Sequence, residues 1–170
     1  GKDPAMHAHL RFALSLALLA TGLGDRAFCL ENGSFESNFD HWTATGNVTI
    51  QSAPPYAPTD GAKLVSFNAL NSTPHGTLSQ TVPTLPGRIH SLRFDVGNLS
   101  YNPLYQKLHV SVLEGSNVQV ADTIRVPGFG GGNTFWSTGN YGFTVAGASV
   151  TLTLTDVSDV TDGLDLLLDH

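Results

Sequence analysis

The run Ser149–Asp156, SVTLTLTD, decides what kind of fold this chain makes. Val150, Leu152 and Leu154 alternate with threonines. In an extended chain the apolar side chains therefore stand on one face and the hydroxyls on the other. A helix would scatter the same residues around its circumference. Working outward, SLRFDV repeats the pattern with Leu92, Phe94 and Val96, and KLHVSVLE repeats it with Leu108, Val110 and Val112. Threonine and valine suit a pleat buried on one side. Further strands are predicted at 47–52, 63–69, 76–82, 117–126, 140–145 and 164–169. Turn signals separate them: PPYAPTDG, TLPGR, EGSN, PGFGGGN, VAGA and TDG. No helical periodicity follows Leu30.

Strands with a single apolar face do not suit a parallel sheet, which is buried on both sides. Roughly ten short, punctuated strands predict an all-β antiparallel sandwich or barrel. The 170 residues suffice for one domain with a real core. Only 13% are charged, about half the usual share of roughly 25%. Serine, threonine, asparagine and glycine fill the gap, as they do in many secreted β-proteins. Net charge is −6, with eight Lys and Arg in all. Without a basic stripe, nucleic acid is not an expected partner. Cys29 is the single cysteine, so an internal disulfide is excluded.

Residues 1–6, GKDPAM, read as an expression scar. Residues 7–28 read as a signal-peptide-like hydrophobic segment. Arg11 supplies the positive charge, Phe12–Leu23 the apolar stretch and Ala27 a small residue near its end. The stretch is shorter than the roughly 20 residues a membrane span needs. A buried N-terminal helix is the competing reading. Residues 29–170 form the predicted sandwich domain.

Several pieces then occur in order: NGSFE, HWTATG, DGAKLVSFN, GTLSQTVPTLPGRIHSLRFDVG and a closing LDLLLD. From about Leu30 to Asp169 the chain resembles the carbohydrate-binding modules with a galactose-binding-domain-like jelly roll. It is also similar to related secreted domains of plant cell walls and bacterial surfaces. The resemblance implies a jelly-roll sandwich that is secreted or at the cell surface. It also implies a structural calcium (Ca2+). The ligands carried over by position are the Ser34 carbonyl, the Glu36 side chain, Asp60, the Lys63 carbonyl and Asp169. Calcium does favour six to eight hard oxygens of this mixed kind. Without a metal, Glu36 and Asp169 would be solvated strand ends or acceptors for a turn. Trp42 is read as core.

A polysaccharide-binding face needs flat aromatics for C–H surfaces and amides or carboxylates for hydroxyls. The loops offer Tyr56, Tyr101, Tyr105, Trp136 and Tyr141, with Gln106 and Asn98, Asn102 and Asn140 nearby. Catalysis is not expected. Paired glycosidase acids are not apparent, since Glu114 falls at a hairpin tip, and a GxSxG elbow is lacking. The glycines of PGFGGGN lack the Lys-Ser/Thr of a phosphate loop and read as a mobile surface loop. TDVSDVTDGLD reads as a solvated acidic loop. Asn32, Asn47, Asn71 and Asn98 begin N-x-Ser/Thr sequons. The alternative function is a matrix or cell-surface module that self-associates through a sheet face or edge, with no sugar site.

Overall fold

The Ser149–Asp156 strand forms the middle of a five-stranded antiparallel sheet. The computed structural model describes residues 30–170, so the scar and the signal-like segment lie outside the described residues. In chain order the strands are β1 (Thr43–Thr45), β2 (Val48–Gln51), β3 (Leu64–Phe67), β4 (Thr77–Pro83), β5 (Ile89–Ser100), β6 (Gln106–Glu114), β7 (Asn117–Val126), β8 (Asn133–Thr144), β9 (Ser149–Asp156) and β10 (Leu164–Asp169). One sheet runs β1-β4-β9-β6-β7 and the other β2-β3-β10-β5-β8. The only helical element among the described residues is a short 3-10 turn, Ala69–Asn71. No helix there is long and apolar enough to cross a membrane.

The alternation seen in the sequence is the one that folds. Val150, Leu152 and Leu154 of β9 meet Val110 and Val112 of β6, Phe94 and Val96 of β5, and Leu166 and Leu168 of β10 in one core. Trp42 joins it as expected. Its ring lies 5.4 Å from Phe35, and its indole N–H donates to the Asn32 carbonyl. Phe35 holds a positive φ of 58°, which is uncommon for a bulky side chain, and its ring is buried.

β10 does not alternate, and the fold explains why. Leu166 and Leu168 face the main core, while Leu167 joins a second cluster with Leu64 and Leu99. Tyr56 and Trp136 pack over that cluster. The outer face of β10 is therefore covered at Leu167, and a strand buried on both faces reads as a continuous apolar run.

Four expectations change here. β8 starts at Asn133, seven residues before the strand predicted at 140–145. Gly139 hid it. A Cβ there would stand 2.4 Å from the Phe94 ring, so the position must lack a side chain. PGFGGGN is pinned, since the amides of Phe129 and Gly130 donate to the Ser100 hydroxyl and that of Gly132 to the Ser100 carbonyl. The acidic run is solvated only at Asp159 and Asp162. Asp156 is fully buried and Asp165 half-buried. Asn98 is also buried, its amide donating to the Leu104 and Val126 carbonyls, so its sequon is inaccessible.

Candidate functional site

Two places collect the residues singled out from sequence. The first is the corner where NGSFE, DGAK and the end of β10 meet. Glu36 Oε1 accepts the backbone N–H groups of Ala62 and Lys63, both at 2.8 Å. Those two bonds, in that order, hold its carboxyl below the usual carboxylate range. Asp169, fully buried, accepts the amides of Thr59 at 2.6 Å and Asp60 at 3.0 Å on Oδ2. The Lys63 ammonium donates to the Glu36 carbonyl and to Asn38 Oδ1. The corner thus clamps the Thr59–Lys63 turn from both ends. Glu36, Asp60, Lys63 and Asp169 are joined by these bonds. Ser34 lies between Gly33, which abuts the His170 carbonyl, and Phe35. No three acidic, histidine or cysteine side chains among the described residues are grouped to share a metal ion.

The second place is a cleft of about 300 Å³ at one end of the outer face of the β2-β3-β10-β5-β8 sheet. Tyr56 and Tyr101 line it, with Leu70, Asn71, Leu99 and Asp165. The Tyr56 hydroxyl donates to Asp165 Oδ2 at 2.7 Å. Burial pushes the Asp165 carboxyl above the usual aspartate range, against the opposing effect of that hydrogen bond. Burial, and then the same bond, raises the Tyr56 hydroxyl. Tyr101 is 60% exposed. Its backbone is fixed by an N–H bond to the Gly163 carbonyl. Asn71 Oδ1 accepts the Gly163 amide, and its Nδ2 donates to Asp162 Oδ1.

Trp136 sits on the same face over Gly97. A Cβ at Gly97 would lie 2.8 Å from the indole, and the two residues are register partners. Through Leu64, Leu99 and Leu167 it packs on the same cluster as Tyr56. Tyr56 and Trp136 therefore lie along one strip over that cluster, and Tyr101 shares the cleft with Tyr56.

The other candidates are elsewhere. Gln106 is fully buried. Its amide donates to the Val160 and Tyr105 carbonyls and accepts from Asn68, so it is a core residue and not a ligand contact. Tyr141 stacks on Phe94 and donates to Asp122, which places it at the core's edge. Tyr105 is exposed but lies under the Arg125 guanidinium, 4.5 Å from its ring centroid, and does not line the cleft. Sequence reasoning read Asp165 as part of a solvated acidic loop and Asn71 as the start of a sequon, not as residues of a cleft. Asp165 faces Tyr56 across 109 positions of chain, and Asn71 bonds Gly163 across 92, so no local pattern could announce either.

A larger groove of about 360 Å³ lies beside Leu30, where the described chain begins. Its walls are mainly aliphatic, with Val82, Leu92, Val150 and Leu152, and Phe143 is its one carbocyclic aromatic. It lacks a pair of aromatic platforms.

No family model and no curated protein matches this sequence. Solved structures do match. A family 61 carbohydrate-binding module in complex with β-1,4-galactotriose is 20% identical with a TM-score of 0.65, over 82% of this chain and 92% of that one. A family 16 carbohydrate-binding module is 18% identical, TM-score 0.51, over 82% and 94%. A xylan-binding domain of family 22 is 14% identical, TM-score 0.52, over 81% and 88%. At such identities the likeness is one of fold. Two antiparallel five-stranded sheets around one core give this chain the jelly-roll β-sandwich fold of the carbohydrate-binding modules.

Proposed function

We propose that this protein is a non-catalytic module that binds a polysaccharide, and that it acts outside the cell or at its surface. The observation that carries the reading is the cleft in which Tyr56 and Tyr101 flank Asp165 and Asn71. Two flat rings offer stacking faces, and a carboxylate and an amide offer hydrogen bonds for hydroxyls. One acid lines the cleft, whereas glycoside hydrolysis uses two in most families. The fold shared with structures that hold galactotriose or are named for xylan binding supports the ligand class.

The test is affinity electrophoresis against a panel of polysaccharides. At least one glycan should retard the wild type. Tyr101→Ala, at an exposed loop position, should lose that retardation with stability changed by less than about 0.5 kcal/mol. Retardation of Tyr101→Ala equal to wild type would misplace the site. Free migration on every glycan would remove the reading, and self-association would be measured next.

We propose separately that the Glu36–Asp169 corner binds a structural calcium by drawing together carboxylates that are not grouped without it, Glu36, Asp60 and Asp169, with the Ser34 and Lys63 carbonyls completing them. The donor types suit the ion, and the turn that carries Asp60 and Lys63 is already bound to both Glu36 and Asp169. At an extracellular affinity of about 0.1–1 mM, ~2 mM calcium adds roughly 0.7–1.8 kcal/mol. Calcium should raise the melting temperature and Glu36→Gln should remove the increment. A wild type indifferent to calcium, with Glu36→Gln still less stable, makes the corner a hydrogen-bonded clamp alone.

A further inference from the structure

We infer, resting on that cleft as the sugar site, that it selects neutral glycans and rejects polyuronates, with Asp165 as the residue that sets the selection. The cleft lining contains no lysine, arginine or histidine. Its one charged group is the Asp165 carboxylate, half-buried between Tyr56 and Leu99, its register partner being Leu99. Its hydrogen bond within the protein falls on Oδ2. At the rim, Asp162 adds a second carboxylate, exposed and bound to Asn71.

Among the described residues the lysines and arginines stand elsewhere, Arg88 just ahead of β5 and so at the far end of that strand from Leu99. Lys107 pairs with Asp159 at 2.6 Å. Lys63 is bound in the Glu36 corner. Arg125 covers Tyr105. Arg93 shares the outer face of β5 but stands six residues from Leu99, roughly 20 Å along the strand. A uronate carboxylate seated beside Asp165 would meet a like charge where little water screens it, which costs far more than at an open surface. Neutral hydroxyls find in the same carboxylate a charge-assisted acceptor.

The test uses polymers that differ in charge and not in backbone: polygalacturonate against its methyl ester, and glucuronoxylan against its carboxyl-reduced form. Each is run in native gels with wild type and Asp165→Asn, which is isosteric and leaves Tyr56 an acceptor. In any pair whose neutral member is bound, wild type should bind the charged member at least tenfold more weakly. Asp165→Asn should narrow that gap at low ionic strength. Equal binding of both members by wild type overturns the selection while leaving the sugar site standing. An unchanged gap in Asp165→Asn overturns the role of Asp165. Retention of no polymer, charged or neutral, within a wider panel overturns the sugar site itself.

Discussion

At the scale of single residues, three aromatics that look alike in sequence have separate fates, and substitution should tell them apart. Tyr105→Ala removes a ring stacked by Arg125, worth about 0.5–1 kcal/mol at an exposed site. It should leave glycan retention unchanged, because Tyr105 does not line the cleft. Gly97→Ala tests the strip from beneath. The new methyl would press on the Trp136 ring from 2.8 Å. Overpacking of this kind costs about 1–3 kcal/mol, read as an earlier urea midpoint. A midpoint equal to wild type would mean that Trp136 is free to move aside. Trp42 was legible in advance, from the resemblance and from the burial preference of a large aromatic side chain. Gln106 was not. Its amide looks like any polar loop residue until Asn68 and Val160, 38 and 54 positions away, are folded against it.

At the scale of elements, strands with one buried face were legible and strands with two were harder to read. β6 and β9 announce themselves because water lies on one side and core on the other. β10 reads as an apolar run because the Tyr56 loop and Trp136 cover its outer face. β8 was half hidden by Gly139, whose missing side chain makes room for Phe94. The turn after β7 offers an element-scale prediction. The Ser100 hydroxyl accepts two backbone N–H groups, from Phe129 and Gly130. Ser100→Ala leaves both without that acceptor, at about 1–3 kcal/mol. Equilibrium unfolding should show the loss, and hydrogen exchange should show faster exchange at 129 and 130. Protection equal to wild type there would mean that the glycine-rich turn holds itself.

At the scale of the whole molecule, the charge inventory sets how stability depends on pH. Asp156 is fully buried, with Oδ1 accepting the Ser158 amide and Oδ2 lacking a hydrogen-bond partner. Burial raises its carboxyl above the usual range, and burial does the same for Asp165. A group whose folded pKa is raised binds more protons folded than unfolded, so stability falls as pH climbs from about 3.9 through the raised value. Glu36 acts in the opposite sense: its contribution is present above the unfolded glutamate value and lost as pH falls through its lowered folded one. Asp156→Asn should therefore flatten the decline in urea midpoint on the alkaline side of pH 4, leaving the acid limb in place. A decline as steep as wild type would place the buried proton elsewhere.

Period two and turn chemistry are local properties, and they determined an antiparallel sandwich or barrel before any contact was known, the resemblance favouring the sandwich. The sequence also contained the acids and aromatics of both candidate sites. What only the tertiary structure decided was which of them meet. Tyr56 reaches Asp165, and Asn71 reaches Gly163, across spans of 109 and 92 residues. Such pairings are set by how two sheets stack and how one loop folds back over an outer face. Composition and spacing carry no record of either, because burial is a property of the assembled layers rather than of any one strand.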